Sequence, residues 1–391
     1  MMRVRSIEAS NFKSLVEFKL DLAKFTCLVG LNGSGKSTVL QFIDFLSQLV
    51  RGNMKAWLAE RKWKSLDLKS KLTKKVNIEF CVRFSTDSGE PAGKWEVTYS
   101  PKSNRCTTER LDLLDFVLEA NKDSFEITDL KTGKGRGHEI AFDYEGSIVS
   151  ALKEELLPPS LLECKKFLGD VKSLDLLDPE HLRQRTRESS GTLGLGGQHL
   201  AAFLHEMNDQ KRLSLIAQLK KVYPQLQGLH AKSLRSGWKQ LEINEAYEEA
   251  GPGFFPALVT EARHVNDGML RLMAILAELQ TRDCFVLFDE IENGINPELV
   301  EFVISNLVNA RQQVLVTTHS PMILNYLDDE IAKKGVIYLY KTPRGHTKSI
   351  PLFSIPSLAK KLTVMGPGEA FVDTNLTTLS DEIARMNGEE A

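Results

Sequence analysis

Cysteine is scarce in this chain, and none of it is paired in sequence. Cys27, Cys81, Cys106, Cys164 and Cys284 are scattered with no C-x-x-C. That argues against a disulfide frame and a zinc site and for a reducing compartment. No charge of one sign dominates: 50 Lys and Arg stand against 52 Asp and Glu, a net charge of −2. No global basic field therefore announces nucleic acid. No apolar run approaches the length of a membrane span, and Met1-Met2-Arg3-Val4-Arg5-Ser6 leads into no apolar leader segment. The expectation is a cytoplasmic protein with no membrane partner. No heptad run is sustained, which excludes a long coiled coil. No Asp-x-Asp pair, internal repeat or low-complexity tract is present. What is there is 391 residues, 42% hydrophobic and 26% charged, the balance of a globular protein. That length has room for about two or three structural units.

The strongest positive signal is Gly30-Leu31-Asn32-Gly33-Ser34-Gly35-Lys36-Ser37, directly after the apolar run Phe25-Thr26-Cys27-Leu28-Val29. This is a Gly-x-x-x-x-Gly-Lys-Ser phosphate loop at the end of a buried strand. Its glycines let successive amides point inward at an oxyanion. The helix expected from Ser37 to about Val50 turns its positive end to the same phosphates. Lys36 would reach the β- and γ-phosphates, and the Ser37 hydroxyl would ligate magnesium. A second apolar run, Cys284-Phe285-Val286-Leu287-Phe288, ends in Asp289-Glu290. Buried parallel strands look like this, with ligands beyond their carboxyl ends. Asp289 can hold magnesium and Glu290 can orient the attacking water. A third run, Val314 to Thr318, is followed by His319, placed to sense a γ-phosphate; a turn histidine is the bland alternative.

Strict alternation of Val76, Ile78, Phe80, Val82 and Phe84 predicts a half-buried strand, with Trp95 to Tyr99 as its hairpin partner. Leu111 to Leu118 and Tyr144 to Leu156 carry broken helical patterns. Ala201 to Val222 carries a better one, with Leu204, Met207, Leu213, Ile216 and Leu219 as its stripe. Residues 225 to 248 read as strands, then Asp267 to about Gln280 as a helix. Asn296 and Pro297 open another helix with Leu299, Val300, Val303 and Leu307 on its apolar face. Met365-Gly366-Pro367-Gly368-Glu369 suggests a shaped loop, and Asn387 to Ala391 a fraying end. Residues 51 to 75 hold nine Lys or Arg against two acids, interleaved with Trp57 and Trp63. That composition reads equally as a phosphate-backbone surface and as a solvated segment. For the shorter run His181 to Arg187 a solvated helix face is the better reading.

The order of motifs resembles the ABC-type ATPase head of the RecF, SMC and OLD families. Ile7-Glu8-Ala9-Ser10-Asn11-Phe12-Lys13-Ser14 resembles their first strand and turn, and Asn32 to Thr38 their Walker A. Asn266-Asp267-Gly268-Met269-Leu270-Arg271 resembles the signature, with Asn266 where the family usually has Ser. Asp289-Glu290 and Asn293 to Pro297 resemble Walker B and the D-loop, and His319 falls on the H-loop. Leu177 to Arg183 and Gly196 to Leu204 look like segments of compact bacterial AAA-type ATPases, many of which sit in phage-defence operons.

The resemblance implies an α/β P-loop NTPase: a mixed core sheet flanked by helices, an antiparallel β subdomain and an inserted helical lobe. The head would occupy 1–100 and 226–350, the lobe 101–225 and a tail 351–391. It further implies that ATP and Mg2+ bind at Asn32, Gly33, Ser34, Gly35, Lys36, Ser37 and Thr38, with Asn11 and Lys13 contributing. Asn266, Asp267 and Gly268 would close on the γ-phosphate from a second copy. Ser37 and Asp289 would hold the metal, and Glu290, Lys36 and His319 would carry hydrolysis. The expected assembly is an ATP-sandwiched homodimer or a higher oligomer. About seventy residues follow His319, so a nuclease or toxin effector is expected on a separate partner. A RecF-like DNA clamp and a weakly hydrolysing nucleotide-bound scaffold stand as the alternatives.

Overall fold

Alternating apolar and polar residues build most of the N-terminal half. The computed structural model describes residues 2–174, 178–187, 191–247, 258–281 and 284–386. Leu177, residue 248 and Asn387 to Ala391, on which expectations rested above, lie outside them. Contacts divide the chain into two units. The first is Met1–Val171, Cys284–Leu287 and Gln313–Ala391; the second is Lys172–Asp283 and Phe288–Gln312.

In the first unit, β1 (Met2–Phe12), β2 (Leu15–Asp21), β4 (Ile78–Thr86) and β5 (Pro91–Ser100) form one side of an eight-stranded antiparallel sheet. In register, Ala9 faces Phe18 on β2 and Phe80 on β4. Their buried face receives α1 (Lys36–Arg51), whose Phe42 and Phe45 meet Phe80 and Tyr99 edge-on at 5.8 and 5.1 Å. Between β2 and α1 lies β3 (Phe25–Val29), buried at every residue.

The same sheet continues through β6 (Arg105–Leu113), β7 (Phe116–Ala120), β8 (Ser124–Asp129) and β9 (Gly135–Glu139). This corrects the helical reading of Leu111 to Leu118. Two features of β6 disguise its period. A bulge at Thr107, opposite the step from Thr98 to Tyr99 on β5, shifts the register, and Glu109 is a carboxylate at a buried position. Trp95 Nε1 and Ile148 N donate to Glu109 at 2.9 and 3.0 Å, and Ser147 adds its hydroxyl. Burial pushes this carboxyl above its ordinary pKa while those donors pull it down. The helices of this region begin at Ile148–Ala151 and continue at Pro159–Gly169.

A parallel core completes the unit. β3 pairs with Gln313–Thr317 on one side and Val336–Lys341 on the other. Phe285–Phe288 and Thr347–Pro351 lie outside these two. Residues 365–369, expected as a loop, instead open the helix Pro367–Val372, with proline at its first turn, where the missing N–H costs nothing.

The second unit contains a three-stranded antiparallel sheet, Leu226–Ser233, Lys239–Glu245 and Leu258–Glu261. Its helices include Leu200–Glu206, Asp209–Lys220, Asp267–Leu279 and Pro297–Val308. The single stripe expected over Ala201 to Val222 is broken at Met207. Asn208 caps a new helix by accepting from Lys211 N at 2.9 Å, and Leu213 is left 66% exposed.

Candidate functional site

The phosphate loop leaves the carboxyl end of β3, the central strand of the parallel core. Gly30, Gly33 and Gly35 have φ of 151°, 77° and 112°, which only glycine adopts freely. A Cβ on Gly30 would lie 2.3 Å from Leu339 O, and one on Gly35 would lie 2.4 Å from Thr347 Oγ1. Lys36 is buried and folds back, its Nζ donating to Gly30 O at 2.8 Å and Leu31 O at 3.3 Å. Asn32, Gly33 and Ser37 are exposed and Thr38 is half-buried. The loop fits a nucleotide phosphate on two further observations. Ser34 Oγ is buried without a hydrogen-bond partner. The helix behind it has neither a side-chain cap nor an acid in its first turn, so its amides face an anion unopposed.

Thr347 holds this loop from behind and was not foreseen in the sequence. It is fully buried, and its Oγ1 donates to Ser34 O at 2.9 Å. The same oxygen accepts from Lys341 Nζ at 2.9 Å and from the Ser14 hydroxyl at 2.8 Å. One proton and two lone pairs are thus all used. Nothing in the segment around Thr347 marks it, since a lone buried threonine has no sequence signature.

His319 is exposed at the end of Gln313–Thr317, the strand paired with β3. A turn fixes its neighbours: Ser320 N donates to Thr318 Oγ1 at 2.9 Å. Behind it, Asn325 Oδ1 accepts from Gly368 N and Glu369 N at 2.8 and 3.2 Å. The helix Pro367–Val372 is therefore capped by the segment that follows His319, which gives that part of the tail a place.

In the second unit, Asp289 and Glu290 follow Phe288 half-buried. Glu290 adopts φ 48°, rare for a non-glycine residue, and Asn293 ties it down: Nδ2 donates to Oε2 at 3.3 Å and N to O at 2.9 Å. Arg271 donates to Asn293 O at 2.6 Å, and Gly268 passes so close to Gly294 that a Cβ would lie 3.1 Å from its carbonyl. Signature and D-loop are thus one cluster. Asn266 caps the signature helix, its Oδ1 accepting from Met269 N at 2.8 Å, which leaves its amide nitrogen as the donor end. Asp267 is paired with Arg183, which also donates to Val265 O at 2.7 Å. Arg183 belongs to the short basic run that reads as a solvated face, and it buttresses the signature instead. Arg187 lies over Trp238 at 5.1 Å.

Two comparisons bear on this arrangement. The family described as "AAA ATPase domain" matches residues 2–153, and that described as "AAA domain, putative AbiEii toxin, Type IV TA system" matches 257–325. Among solved structures, an SMC head bound to the C-winged helix domain of ScpA is 17% identical, with a TM-score of 0.52 over 89% of this chain and 96% of its own. An Smc head with coiled coil and joint from Pyrococcus yayanosii is 10% identical, TM-score 0.51, over 90% and 97%. One from Pyrococcus furiosus, bound to the C-terminal domain of ScpA, is 14% identical, TM-score 0.50, over 93% and 100%. No curated protein matches the chain.

The chain is similar to AAA ATPase domains over 2–153 and 257–325, and its fold is that of an ABC/SMC-type ATPase head.

Within this class a nucleotide, usually with magnesium, is the implied ligand. Two of the residues expected at it are committed elsewhere. Asn11 is fully buried at φ 68°. Its Nδ2 donates to Lys75 O and Asn77 O at 3.0 and 2.7 Å, and its Oδ1 accepts from Thr73. It fastens the end of the basic segment and has no donor left for a phosphate. Lys13 Nζ lies 3.3 Å from the Trp63 ring centroid and donates to Gln41 at 2.8 Å. Nor are the two tryptophans stacking platforms. Trp57 is buried and donates to Asp44 at 2.6 Å, and Arg61 shares that carboxylate at 2.7 Å while lying against both indoles. Among the described residues no helix is long and apolar enough to cross a membrane.

Proposed function

We propose that the protein is an ATP-binding and ATP-hydrolysing switch that pairs with a second copy around ATP and controls a separate effector in bacterial anti-phage defence or a toxin–antitoxin system. The observation that carries the pairing is exposure. Asn266, Asp267, Asn293, Gly294 and Asn296, the signature and D-loop residues, all face solvent in one copy. Groups of this kind complete a pocket when an isologous partner brings them to its phosphates. The defence setting is supported by the toxin-system description of the family matched at 257–325. That two of the similar SMC heads were solved with ScpA supports a protein partner.

In this reading Lys36 leaves the loop carbonyls for the β- and γ-phosphates, and the first-turn amides of α1 take the remaining oxygens. Ser37 and Asp289 remain the proposed magnesium ligands. Magnesium, when bound, supplies positive charge against the charge developing in phosphoryl transfer. Glu290, fixed by Asn293, orients the water, and the amide nitrogen of Asn266 and His319 read the γ-phosphate. Swinging such an equilibrium almost fully takes about 5.5 kcal/mol of differential binding, which charge-assisted hydrogen bonds at two sites can supply.

The test is Glu290→Gln. It is expected to bind ATP, to lose at least about 100-fold in turnover, and to run as a dimer in light scattering with ATP but not with ADP. A monomer in both, with ATP bound, would refute the switch. Salt-sensitive DNA binding that needs ATP would move the reading to a DNA clamp.

A further inference from the structure

The first unit has a second cavity, far in sequence from the phosphate loop. It encloses about 770 Å³, within the range of ligand sites. Phe116, Phe125, Ile127 and Leu152 form its walls, while Phe142 and Leu156 stand at 42% and 63% exposure on its lining. Beside it runs β9, the terminal strand of the eight-stranded sheet. Ile140 N donates to Asp123 O and Asp129 N to Lys134 O, at 2.8 and 3.0 Å. Antiparallel ladders alternate, so residues 134, 136 and 138 turn their backbone groups toward β8. Gly135, Gly137 and Glu139 turn theirs outward. Among the described residues no strand pairs with that outer edge. Gly135 to Glu139 are exposed throughout, and a Cβ on Gly137, which would stand off the sheet face, would meet nothing within 4 Å.

The two faces of this edge differ in charge. Of the side chains at β9, the cations Lys134 and Arg136 lie on the cavity side, whose lining also includes Lys153, Glu155 and the border residue Glu139. Asp129 on the same side is committed, its Oδ1 accepting from Lys131 N and Thr132 N. The opposite face has a hollow of about 420 Å³ lined by Glu119, Glu126 and Glu139, without lysine or arginine. A second copy of β9 pairing here would place the cations of both strands on one face and their acids on the other, like against like. An edge of this kind favours a strand of complementary pattern.

We propose that β9 and its cavity accept an extended segment of a partner protein as a ninth strand. Every second residue of the guest points to the cavity and is bulky apolar or acidic; those between are basic or small and polar. Main-chain hydrogen bonds to Gly135 and Gly137 supply affinity, and the cavity and its cations supply selectivity. The inference does not rest on nucleotide binding.

A fluorescein-labelled twelve-residue peptide is the probe, with Phe and Asp at odd positions and Lys and Thr at even ones. Anisotropy with the full chain should show binding at least about tenfold tighter than for a scrambled peptide of the same composition. Gly137→Pro removes an outward N–H that β8 does not use and should weaken binding at least about tenfold. Lys134→Glu with Arg136→Glu should do the same, and serves if the proline variant fails to fold. Amide exchange at Gly135 and Gly137 should slow in the complex. Equal affinity for the scrambled peptide, or for the charge-reversed variant, would overturn the proposal. So would self-association of the chain that Gly137→Pro abolishes, because the edge would then belong to a second copy.

Discussion

Lys13 carries its ammonium against an indole ring, beneath partial burial and beside Arg61. Burial first, and Arg61 second, lower its pKa from 10.5 to about 8, with Asp67 opposing. The unfolded chain holds that proton up to about 10.5, so between about 8 and 10.5 the folded state binds fewer protons. The cost of the charged group is full below about 8 and fades as pH rises through the window. Lys13→Met should therefore gain stability over the native chain at pH about 7.5 and lose that advantage near pH 10.5, read from urea midpoints. Thr347 gives a second prediction at this scale. Thr347→Val leaves Ser34 O and Lys341 Nζ without their partner and should weaken ATP binding by about 1–3 kcal/mol, while Thr347→Ser keeps it, as titration calorimetry would show. The loop after β3 was legible because its turn is written locally, in glycines that the backbone needs at positive φ. Thr347, Arg183 and the commitment of Asn11 were not, because each depends on a partner 60 or more residues away.

Helices with a marked first residue and strands with clean alternation were readable: the helix after Gly35, the one opened by Pro297, and β4 with its hairpin partner. β6 to β9 were not. A bulge, a buried Glu109 and a glycine-rich, fully exposed β9 erase the period that would have marked them. The capping of Pro367–Val372 by Asn325 is likewise invisible locally, and it makes a prediction. A Cβ on Gly368 would fall 2.5 Å from Pro321 O, so Gly368→Ala should destabilise by about 1–3 kcal/mol in urea unfolding. Arg183→Ala releases Asp267 in the signature's first turn. Its expected signature is lower turnover with ATP affinity of the isolated copy unchanged, measured by steady-state kinetics beside equilibrium binding.

The class of the molecule followed from three strand ends in order, and the ABC/SMC-like head bears it out. The grouping of the chain was harder to foresee, because each unit is assembled from separate stretches. The bond from Ser34 O to Thr347 spans 313 residues, and that from Gln313 to Val4 spans 309. Contacts this remote are slow to form. On the ribosome, a nascent chain that has already emerged past its phosphate loop still lacks both neighbours of β3 and the threonine that clamps the turn. The loop is thus without its support until residue 347 has been made, and a product cut before that point carries the motif without the grip.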